Sequence, residues 1–299
     1  MIRVLHVVTY MGRGGLESMI MNYYRRMDRK KIQFDFLVHR RERAEFDDEI
    51  ENLGGKIYRL PRLIPWSRSY LNVLDRFFEI HPEYKIVHVH QDCLSSVILK
   101  VAARHNVPVR IAHSHNANQD RNLKYPIKLW YRRSIPQYAT NLFACGKDAG
   151  DWMFSGAPYQ IVNNAIDATA YTYDPEKRTE LRQKLDLRDE LTIGHVGRFN
   201  PQKNHPFLLD IFASLLEKEP NAVLLLVGGG EDMPKMQAKA QALDIAKHVR
   251  FLGVRSDVAD LMQAMDVFVF PSLYEGLPVT MVEAQSAGLP CLISDKIPP

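Results

Sequence analysis

The sequence predicts an α/β protein of two doubly wound, parallel-sheet domains, and three observations lead to this. Short apolar runs alternate with segments of helical spacing, which is typical of parallel strands joined by crossover helices. The alternation occurs twice and lapses once, at residues 163–178, where turn formers show no sustained period. The length of 299 residues also favours two domains over one. We therefore expect one domain at residues 1–165 and a second at 166–299.

The first domain opens as strand, glycine loop and helix. Residues 2–8 are a continuous apolar run, the turn TYMGRGGLES follows, and apolar residues then recur at helical spacing from Leu16 to Met27. Further runs predict the other strands of this domain at 32–38, 56–60, 84–90, 107–115 and 140–146.

The second domain repeats this organisation. Its predicted strands are residues 191–197, 222–228, 248–253, 266–271 and 289–294, separated by helix-like segments. Doubly wound sheets bind ligands beyond the carboxyl ends of their strands. We therefore expect the active site in a cleft between the domains.

Composition excludes several classes of protein. With 46% hydrophobic and 25% charged residues, the chain is neither disordered nor fibrous. A net charge of +4 and the lack of a recognised module argue against nucleic-acid binding. Three separated cysteines, Cys93, Cys145 and Cys291, predict reduced thiols. Since the sequence also shows no signal peptide or apolar run of ~18 residues, we expect a cytoplasmic protein.

The segment 271–290, PSLYEGLPVTMVEAQSAGLP, carries the most specific pattern. Glu275 follows a predicted strand, and Glu283 lies about one turn into the next helix. The turn of Gly276, Leu277 and Pro278 precedes that helix, whose first N–H groups favour an anion such as a diphosphate. Carboxylates accept hydrogen bonds from sugar and ribose hydroxyls. This pattern therefore predicts a site for a diphosphate that bears sugars.

Two cations and a glycine loop add to this prediction. In VGRFNPQKNH, Arg198 leaves a strand, and Lys203, five residues later, is expected at the start of the next helix. Both cations can neutralise a diphosphate. Gly229 and Gly230, in VGGGE, allow close approach of a ligand to the backbone, although a simple strand-to-helix turn explains them nearly as well.

The loop GRGGLE in the first domain lies where dinucleotide enzymes bind phosphate. It lacks the third glycine of GxGxxG, and no acidic residue stands in a ribose-binding position after the second strand. A dinucleotide site is therefore not predicted.

Histidines collect at two strand ends, as His88 and His90 and as His113 and His115. Residues i and i+2 share one face of a strand, so a four-histidine metal site is conceivable. Because no carboxylate or cysteine pattern supports it, we predict no metal.

Residues 121–133, RNLKYPIKLWYRR, combine five basic residues with aromatic ones and contain no acid. Such a stretch can rest on an anionic membrane surface. It is equally typical of an amphipathic helix that covers the protein, and both alternatives stay open.

The E-x7-E pattern of Glu275 and Glu283 resembles the signature of retaining family 4 glycosyltransferases of the GT-B fold. VGRFNPQK is similar to the GR-x4-K pattern of that family, and GGLE to its GG-x-E loop. The resemblance spans nearly the whole chain. It implies two Rossmann-like domains, with the acceptor side in the first and the donor side in the second.

The resemblance also implies a role for each residue. Glu275 would reach the donor sugar, Glu283 the ribose, and Arg198 and Lys203 the leaving diphosphate. Gly14 and Gly15 would approach the donor phosphates or the acceptor, and Gly229 and Gly230 would lie beside the nucleotide. The family places a histidine against the donor sugar. We favour His115 for this role and keep His113 as the alternative, although either could be structural.

The implied activity is transfer of a hexose or N-acetylhexosamine from a nucleoside-diphosphate sugar, expected to be a UDP-sugar, to a hydroxyl of a glycan or lipid-linked glycan. The family retains anomeric configuration and needs no metal or other cofactor. Two alternatives are a nucleotide-sugar epimerase and a non-catalytic nucleotide-sugar-binding partner. The chain ends at CLISDKIPP, where family members continue, so we expect an incomplete second domain.

Overall fold

The computed structural model describes residues 1–118 and 123–297. The chain divides into two compact units. The first contains Met1–Ala165 and Glu275–Leu277, and the second contains Ile166–Tyr274 and the chain from Pro278 onward.

The described part of the first unit holds a parallel sheet of seven strands in the order β3-β2-β1-β4-β5-β6-β7. The strands are β1 (Ile2–Val8), β2 (Ile32–Val38), β3 (Ile57–Arg59), β4 (Ile86–Val89), β5 (Val109–Ser114), β6 (Asn141–Ala144) and β7 (Gln160–Ile161). In register, His6 of β1 faces His88 of β4, and Val89 of β4 faces Ala112 of β5. The central strands therefore bring their carboxyl ends, and the residues just beyond them, to one edge.

Helices connect these strands. They are α1 (Gly15–Arg26), α2 (Asp47–Asn52), α3 (Arg68–Ile80), α4 (Ser95–Arg104), α5 (Tyr125–Arg132), α6 (Ile135–Tyr138) and α7 (Lys147–Phe154). Ser67 caps α3 by accepting a hydrogen bond from the Tyr70 backbone N–H. The apolar residues of α3 and α4 pack on the sheet, in a core that includes Leu74, Phe78 and Ile98.

In the second unit, the described residues form a parallel sheet of five strands in the order β10-β9-β8-β11-β12. The strands are β8 (Thr192–Val196), β9 (Val223–Val227), β10 (Val249–Gly253), β11 (Val267–Phe270) and β12 (Cys291–Ile293). The helices are α8 (Pro175–Lys184), α9 (His205–Leu216), α10 (Met233–Ala242), α11 (Val258–Gln263) and α12 (Val279–Ser286). Every residue of β8 and β9 is buried, as expected for strands covered on both faces.

The predicted fold class is confirmed, because each unit is a parallel sheet with the 3-2-1-4 strand order of doubly wound proteins. All the predicted strands are present, but the prediction missed β7, whose two residues are exposed. Two local expectations were wrong. Helix α8 already begins at Pro175, inside the segment 163–178 that was expected to lack periodic structure. Lys203 ends a 3₁₀ turn, Pro201–Lys203, rather than starting the next helix.

Within the ranges that the structure describes, no helix combines the length and apolar character needed to cross a bilayer.

Candidate active site

The loops after β8 and β9 pack tightly against each other in the second unit. A Cβ atom on Gly228 would lie 2.0 Å from the carbonyl oxygen of Gly197, and one on Gly230 would lie 2.3 Å from that of Phe199. Both glycines also have positive φ angles, +139° and +152°. Only glycine at positions 228 and 230 therefore allows the loops after β8 and β9 to lie this close together.

Gly229 differs from its neighbours. Its Cβ would meet a side chain, Cγ2 of Val254 at 3.0 Å, and no backbone. Gly229 and Gly230 were predicted as site residues and Gly228 was not, although the run of three glycines was the signal that could have identified it.

The side chain of Lys203 lies beside Gly197, in the loop after β8. A Cβ on Gly197 would lie 3.3 Å from Cγ and Cδ of Lys203. The Lys203 ammonium lies 4.4 Å from the ring centroid of Phe270, at the end of β11, which is within cation–π range. Lys203 is therefore held at the carboxyl edge of the second sheet.

Arg198 lies at the same edge and is exposed. In the parts of the chain that the structure describes, it makes no ion pair. A guanidinium in this state can bind an anion without first giving up a partner.

The loops after β8 and β11 are joined by hydrogen bonds. The Leu273 N–H donates to the Gln202 carbonyl at 2.8 Å, and Gln202 Nε2 donates to the Tyr274 carbonyl at 2.9 Å. These bonds tie the loop that carries Lys203 to the loop that leads into Glu275.

Glu283 is the fifth residue of α12 and is only 8% exposed. Burial raises the pKa of its carboxyl group, and a hydrogen bond with Tyr171 partly opposes this shift. Tyr171 was not predicted, because it lies in the segment where the periodicity lapses and no sequence signal points to this contact.

Glu275 and Gly276 belong to the first unit by their packing. Glu275 is 6% exposed. A Cβ on Gly276 would lie 2.4 Å from the His115 carbonyl oxygen and 2.6 Å from Cys145 Sγ. The Asn164 amide also donates to the Leu277 carbonyl at 2.5 Å. The structure therefore brings the Glu275 turn to the end of β5, where His115 lies.

Five histidines share one face of the first sheet: His6, His88, His90, His113 and His115. Ring nitrogens pair at 3.0 Å between His6 and His90, at 2.9 Å between His90 and His115, and at 3.1 Å between His88 and His113. Four of these histidines were predicted to lie together, but His6 was not, because the register of β1 beside β4 cannot be read from the sequence.

Burial controls the charge of these histidines. It lowers the pKa of His6 and of His113 to about 3, and it lowers the pKa values of His88, His90 and His115 well below the ordinary range. The five rings are therefore neutral near pH 7.

Neutral imidazoles are also the form that binds metal ions. Two described triads, His6 with His88 and His90, and His90 with His113 and His115, offer ring nitrogens within 4.8 Å of one another. The hydrogen bonds between the rings already use ring nitrogens of all five residues. The expectation of a metal-free site stays a prediction.

The glycines of the first loop lie at the start of α1. Gly14 is the extended residue that precedes the helix, and its N–H donates to the Gly12 carbonyl at 3.1 Å. Gly15 is the first helical residue and is exposed.

The basic and aromatic stretch at residues 121–133 forms α5 over most of its length, and Arg121 lies outside the described residues. No side chain of α5 is buried, and Trp130 is 64% exposed. Arg132 lies 5.0 Å from the Trp152 ring and donates to its carbonyl, so this cation is structural. Trp130 also lines a groove of about 790 Å³ together with Arg68, Lys100, Arg104 and Arg133.

Comparison with known families decides the identity. The model for Glycosyltransferase Family 4 matches residues 13–170, and the model for glycosyl transferases group 1 matches residues 177–299. The chain belongs to glycosyltransferase family 4.

Individual relatives agree with this assignment. The chain is 38% identical over 309 residues to EpsF of Bacillus subtilis (strain 168), a protein named as a glycosyltransferase, in an alignment that covers 99% of this chain and 79% of EpsF. It is 28% identical over 229 residues to the UDP-Gal:alpha-D-GlcNAc-diphosphoundecaprenol alpha-1,3-galactosyltransferase of Escherichia coli, covering 71% of this chain and 58% of that enzyme.

The fold of this family 4 glycosyltransferase also matches a solved structure. HepE from Anabaena in complex with UDP-glucose superimposes with a TM-score of 0.81 at 18% identity, over 99% of this chain and 81% of HepE. The GT-B fold is therefore confirmed, as is the predicted glycosyltransferase activity.

In this family 4 glycosyltransferase, most of the predicted site residues fall into two groups. Arg198, Lys203, Gly229, Gly230 and Glu283 lie at or just beyond the carboxyl edge of the second sheet. His115, Glu275, Gly276 and Leu277 lie together in the first unit. Pro278 precedes α12, and Gly14 and Gly15 begin α1. The role of each residue remains a prediction.

Proposed function

We propose that this glycosyltransferase moves a hexose or N-acetylhexosamine from a UDP-sugar to a hydroxyl of a glycan or lipid-linked glycan, with retention of anomeric configuration and without a metal. The packing of the Gly228–Gly230 backbone against Gly197, beside Arg198 and Lys203, carries the proposal. This packing fixes the loop that carries Arg198 and Lys203, whose two cations offer a positively charged surface to a ligand.

The diphosphate of the donor would lie on this surface. Arg198 offers a planar guanidinium with no described ion pair, and Lys203 offers an ammonium fixed beside Phe270. The start of α12 adds N–H groups without intrahelical partners. These groups would stabilise the charge that develops on the departing diphosphate.

The hydroxyl groups of the donor would be bound by carboxylates and a histidine. Glu275 would accept a hydrogen bond from the sugar and Glu283 from the ribose, while His115 would contact the sugar. The packing of the Glu275 turn against the His115 backbone supports the joint role of Glu275 and His115.

Retention would follow from attack on the face that the diphosphate leaves. The acceptor oxygen forms the new bond to the anomeric carbon as the bond to the diphosphate oxygen breaks. A phosphate oxygen of the leaving group would take the proton of the acceptor hydroxyl. No glycosyl nucleophile is needed on this route.

A uracil base and a lipid-linked acceptor are supported by relatives. HepE is solved with UDP-glucose, and the Escherichia coli relative is named for transfer from UDP-Gal to GlcNAc-diphosphoundecaprenol. Helix α5, with its exposed Trp130, would rest on an anionic membrane surface where such an acceptor resides.

The test of the transfer reaction uses UDP-glucose, UDP-galactose and UDP-N-acetylglucosamine, each with and without a GlcNAc-diphospholipid acceptor. We expect one donor to yield a product enlarged by one sugar, with an α-linkage in the ¹H NMR spectrum. A β-linkage would contradict retention, and conversion of the donor without acceptor would favour an epimerase.

The membrane contact is tested by sedimentation with vesicles of phosphatidylglycerol or of phosphatidylcholine. We expect binding to the anionic vesicles only, with weaker binding for Trp130→Ala. Tyr173→Ala is the control, because Tyr173 is similarly exposed and belongs to the second unit. Equal binding of both variants would contradict the role of α5.

A further inference from the structure

Three histidines form a continuous hydrogen-bonded chain that ends at His115. Nδ1 of His6 lies 3.0 Å from Nε2 of His90, and Nδ1 of His90 lies 2.9 Å from Nε2 of His115. His6 and His90 are 3% and 5% exposed, whereas His115 is less deeply buried. The chain therefore crosses three adjacent strands, from the interior to the end of β5.

A neutral imidazole carries one N–H and one bare nitrogen. Burial keeps all three rings neutral, and the other described groups that act on them electrostatically are histidines. Because His90 uses both of its nitrogens, the direction of one hydrogen bond fixes the direction of the other. The chain has only two arrangements.

In the first arrangement, Nδ1–H of His6 donates to His90 and Nδ1–H of His90 donates to His115. His115 then has a bare Nε2 and carries its proton on Nδ1. In the second arrangement, both bonds are reversed. His115 then donates from Nε2 and has a bare Nδ1.

The inner end of the chain distinguishes the two arrangements. His6 Nε2 is buried and has no hydrogen-bond partner among the described residues. The first arrangement leaves a bare nitrogen there, and the second leaves an unpaired N–H. Among buried backbone groups, an N–H without an acceptor is rarer than an acceptor without a donor. Applied to His6 Nε2, this preference favours the first arrangement, in which that nitrogen carries no proton.

We propose that His6 and His90 are positioning residues that fix the His115 tautomer with its proton on Nδ1. The ring would then present an N–H donor to a substrate oxygen. This N–H donor complements Glu275, whose ionised carboxylate accepts hydrogen bonds and cannot donate them. The effect of this tautomer on catalysis rests on the proposed contact between His115 and the donor sugar. The assignment of the tautomer does not depend on that contact.

The direct test is a long-range ¹H–¹⁵N NMR spectrum of the ring nitrogens in ¹⁵N-histidine-labelled protein at pH 7. His115→Gln assigns the His115 signals by their loss. We expect Nδ1 of His115 to resonate as a protonated nitrogen and Nε2 as a bare one. The opposite pattern, or a shift averaged between the two forms, would overturn the proposal.

Matched variants at His88 in β4 and at His90 just after it test the positioning. The side-chain amide nitrogen of Asn overlays histidine Nδ1, so His90→Asn retains a donor toward His115, whereas His90→Leu removes it. His88→Leu makes the same change two residues away, at a ring that bonds to His113 instead. We expect the fixed His115 tautomer in His90→Asn and His88→Leu and a mixture in His90→Leu. A mixture in His88→Leu as well would indicate a general packing effect and overturn the proposal.

Activity is a separate readout. With a UDP-sugar that the wild type turns over, we expect kcat of His90→Leu to fall about three- to tenfold at unchanged affinity for UDP, with recovery in His90→Asn. If the protein binds no UDP-sugar but the His115 tautomer is fixed, the proposed function is refuted. The role of His6 and His90 in positioning His115 then still holds.

The same spectrum tests the competing metal site. We expect no change when one equivalent of Zn²⁺ or an excess of EDTA is added. Displacement of the His90 and His115 signals by zinc at one equivalent would show that these rings are metal ligands, and it would overturn the proposal.

Discussion

The backbones of Gly228 and Gly197 approach so closely that a Cβ atom on Gly228 would lie 2.0 Å from the Gly197 carbonyl oxygen. This contact joins the ends of β9 and β8, at the position where Arg198 leaves the sheet. The position of Arg198, which we propose binds the diphosphate, therefore depends on Gly228, a residue without a functional side chain.

Gly228→Ala should disturb this contact, because the new methyl group meets backbone and because φ at this position is +139°. We expect a loss of stability of about 1–3 kcal/mol, seen as a melting temperature several degrees lower, and a loss of UDP binding. Gly229→Ala, whose Cβ meets only Val254, is the control. Equal melting temperatures for the two variants would show that the contact can relax freely.

Removal of the two cations should reduce catalysis more than donor affinity, since they would stabilise charge that grows as the diphosphate leaves. Arg198→Ala removes the guanidinium, and Lys203→Met removes the ammonium but keeps an apolar chain over Gly197. We expect kcat to fall about ten- to a hundredfold in each. Steady-state kinetics, with the exposed Lys247→Ala as a control, provide the measurement. A higher KM at unchanged kcat would mean that the cations contribute uniform binding only.

Glu283 should make the ligand-free protein less stable as pH rises. Its folded-state pKa lies above the ordinary value of 4.5 because burial disfavours the charged form. The folded state therefore binds the proton more tightly than the unfolded state, and stability falls as pH rises from about 4.5 through the raised pKa.

Glu283→Gln removes this effect and keeps an acceptor for Tyr171. We expect a melting temperature above that of the wild type at pH 7, a difference that shrinks near pH 4, and weaker UDP-sugar binding. Melting curves across this pH range test the expectation. A lower melting temperature of the variant at pH 7 would mean that the charged carboxylate stabilises the fold.

His115→Ala should greatly reduce the rate of transfer and leave UDP affinity unchanged, because the proposed contact is to the sugar. His113→Ala is the comparison, since His113 bonds to His88 and is buried within β5, whereas His115 follows that strand. Activity assays and UDP titrations of both variants separate the two assignments. If His113 is essential and His115 dispensable, His113 is the residue that contacts the donor sugar, and the assignment to His115 is wrong.

The sheets could be predicted from the sequence because their strands are continuous apolar runs that are buried on both faces, as in Val223–Val227. Strand β7 could not, since Gln160 and Ile161 are exposed and too few to form a pattern. The 3₁₀ turn that ends at Lys203 was also missed, because Asn200 caps the Lys203 N–H in a local geometry without periodicity.

Where one motif carries several residues, as with Glu275 and Glu283, the sequence could predict candidate site residues together, and their roles stay predictions. The site was not predictable where a function depends on register or on long-range packing. His6 joins the other histidines only because it faces His88 across β1 and β4, and Tyr171 reaches Glu283 from a segment more than 100 residues away. Local sequence patterns carry no information about such contacts.

The central claim, that this enzyme binds a nucleoside-diphosphate sugar through Arg198 and Lys203, is tested most directly by melting curves with UDP-sugars. At a ligand concentration of 100 times Kd, binding stabilises the folded state by about 2.7 kcal/mol. We predict a rise of several degrees for the wild type with at least one UDP-sugar and no rise for the Arg198→Ala, Lys203→Met double variant. The absence of any rise in the wild type, or an equal rise in both proteins, would contradict the claim.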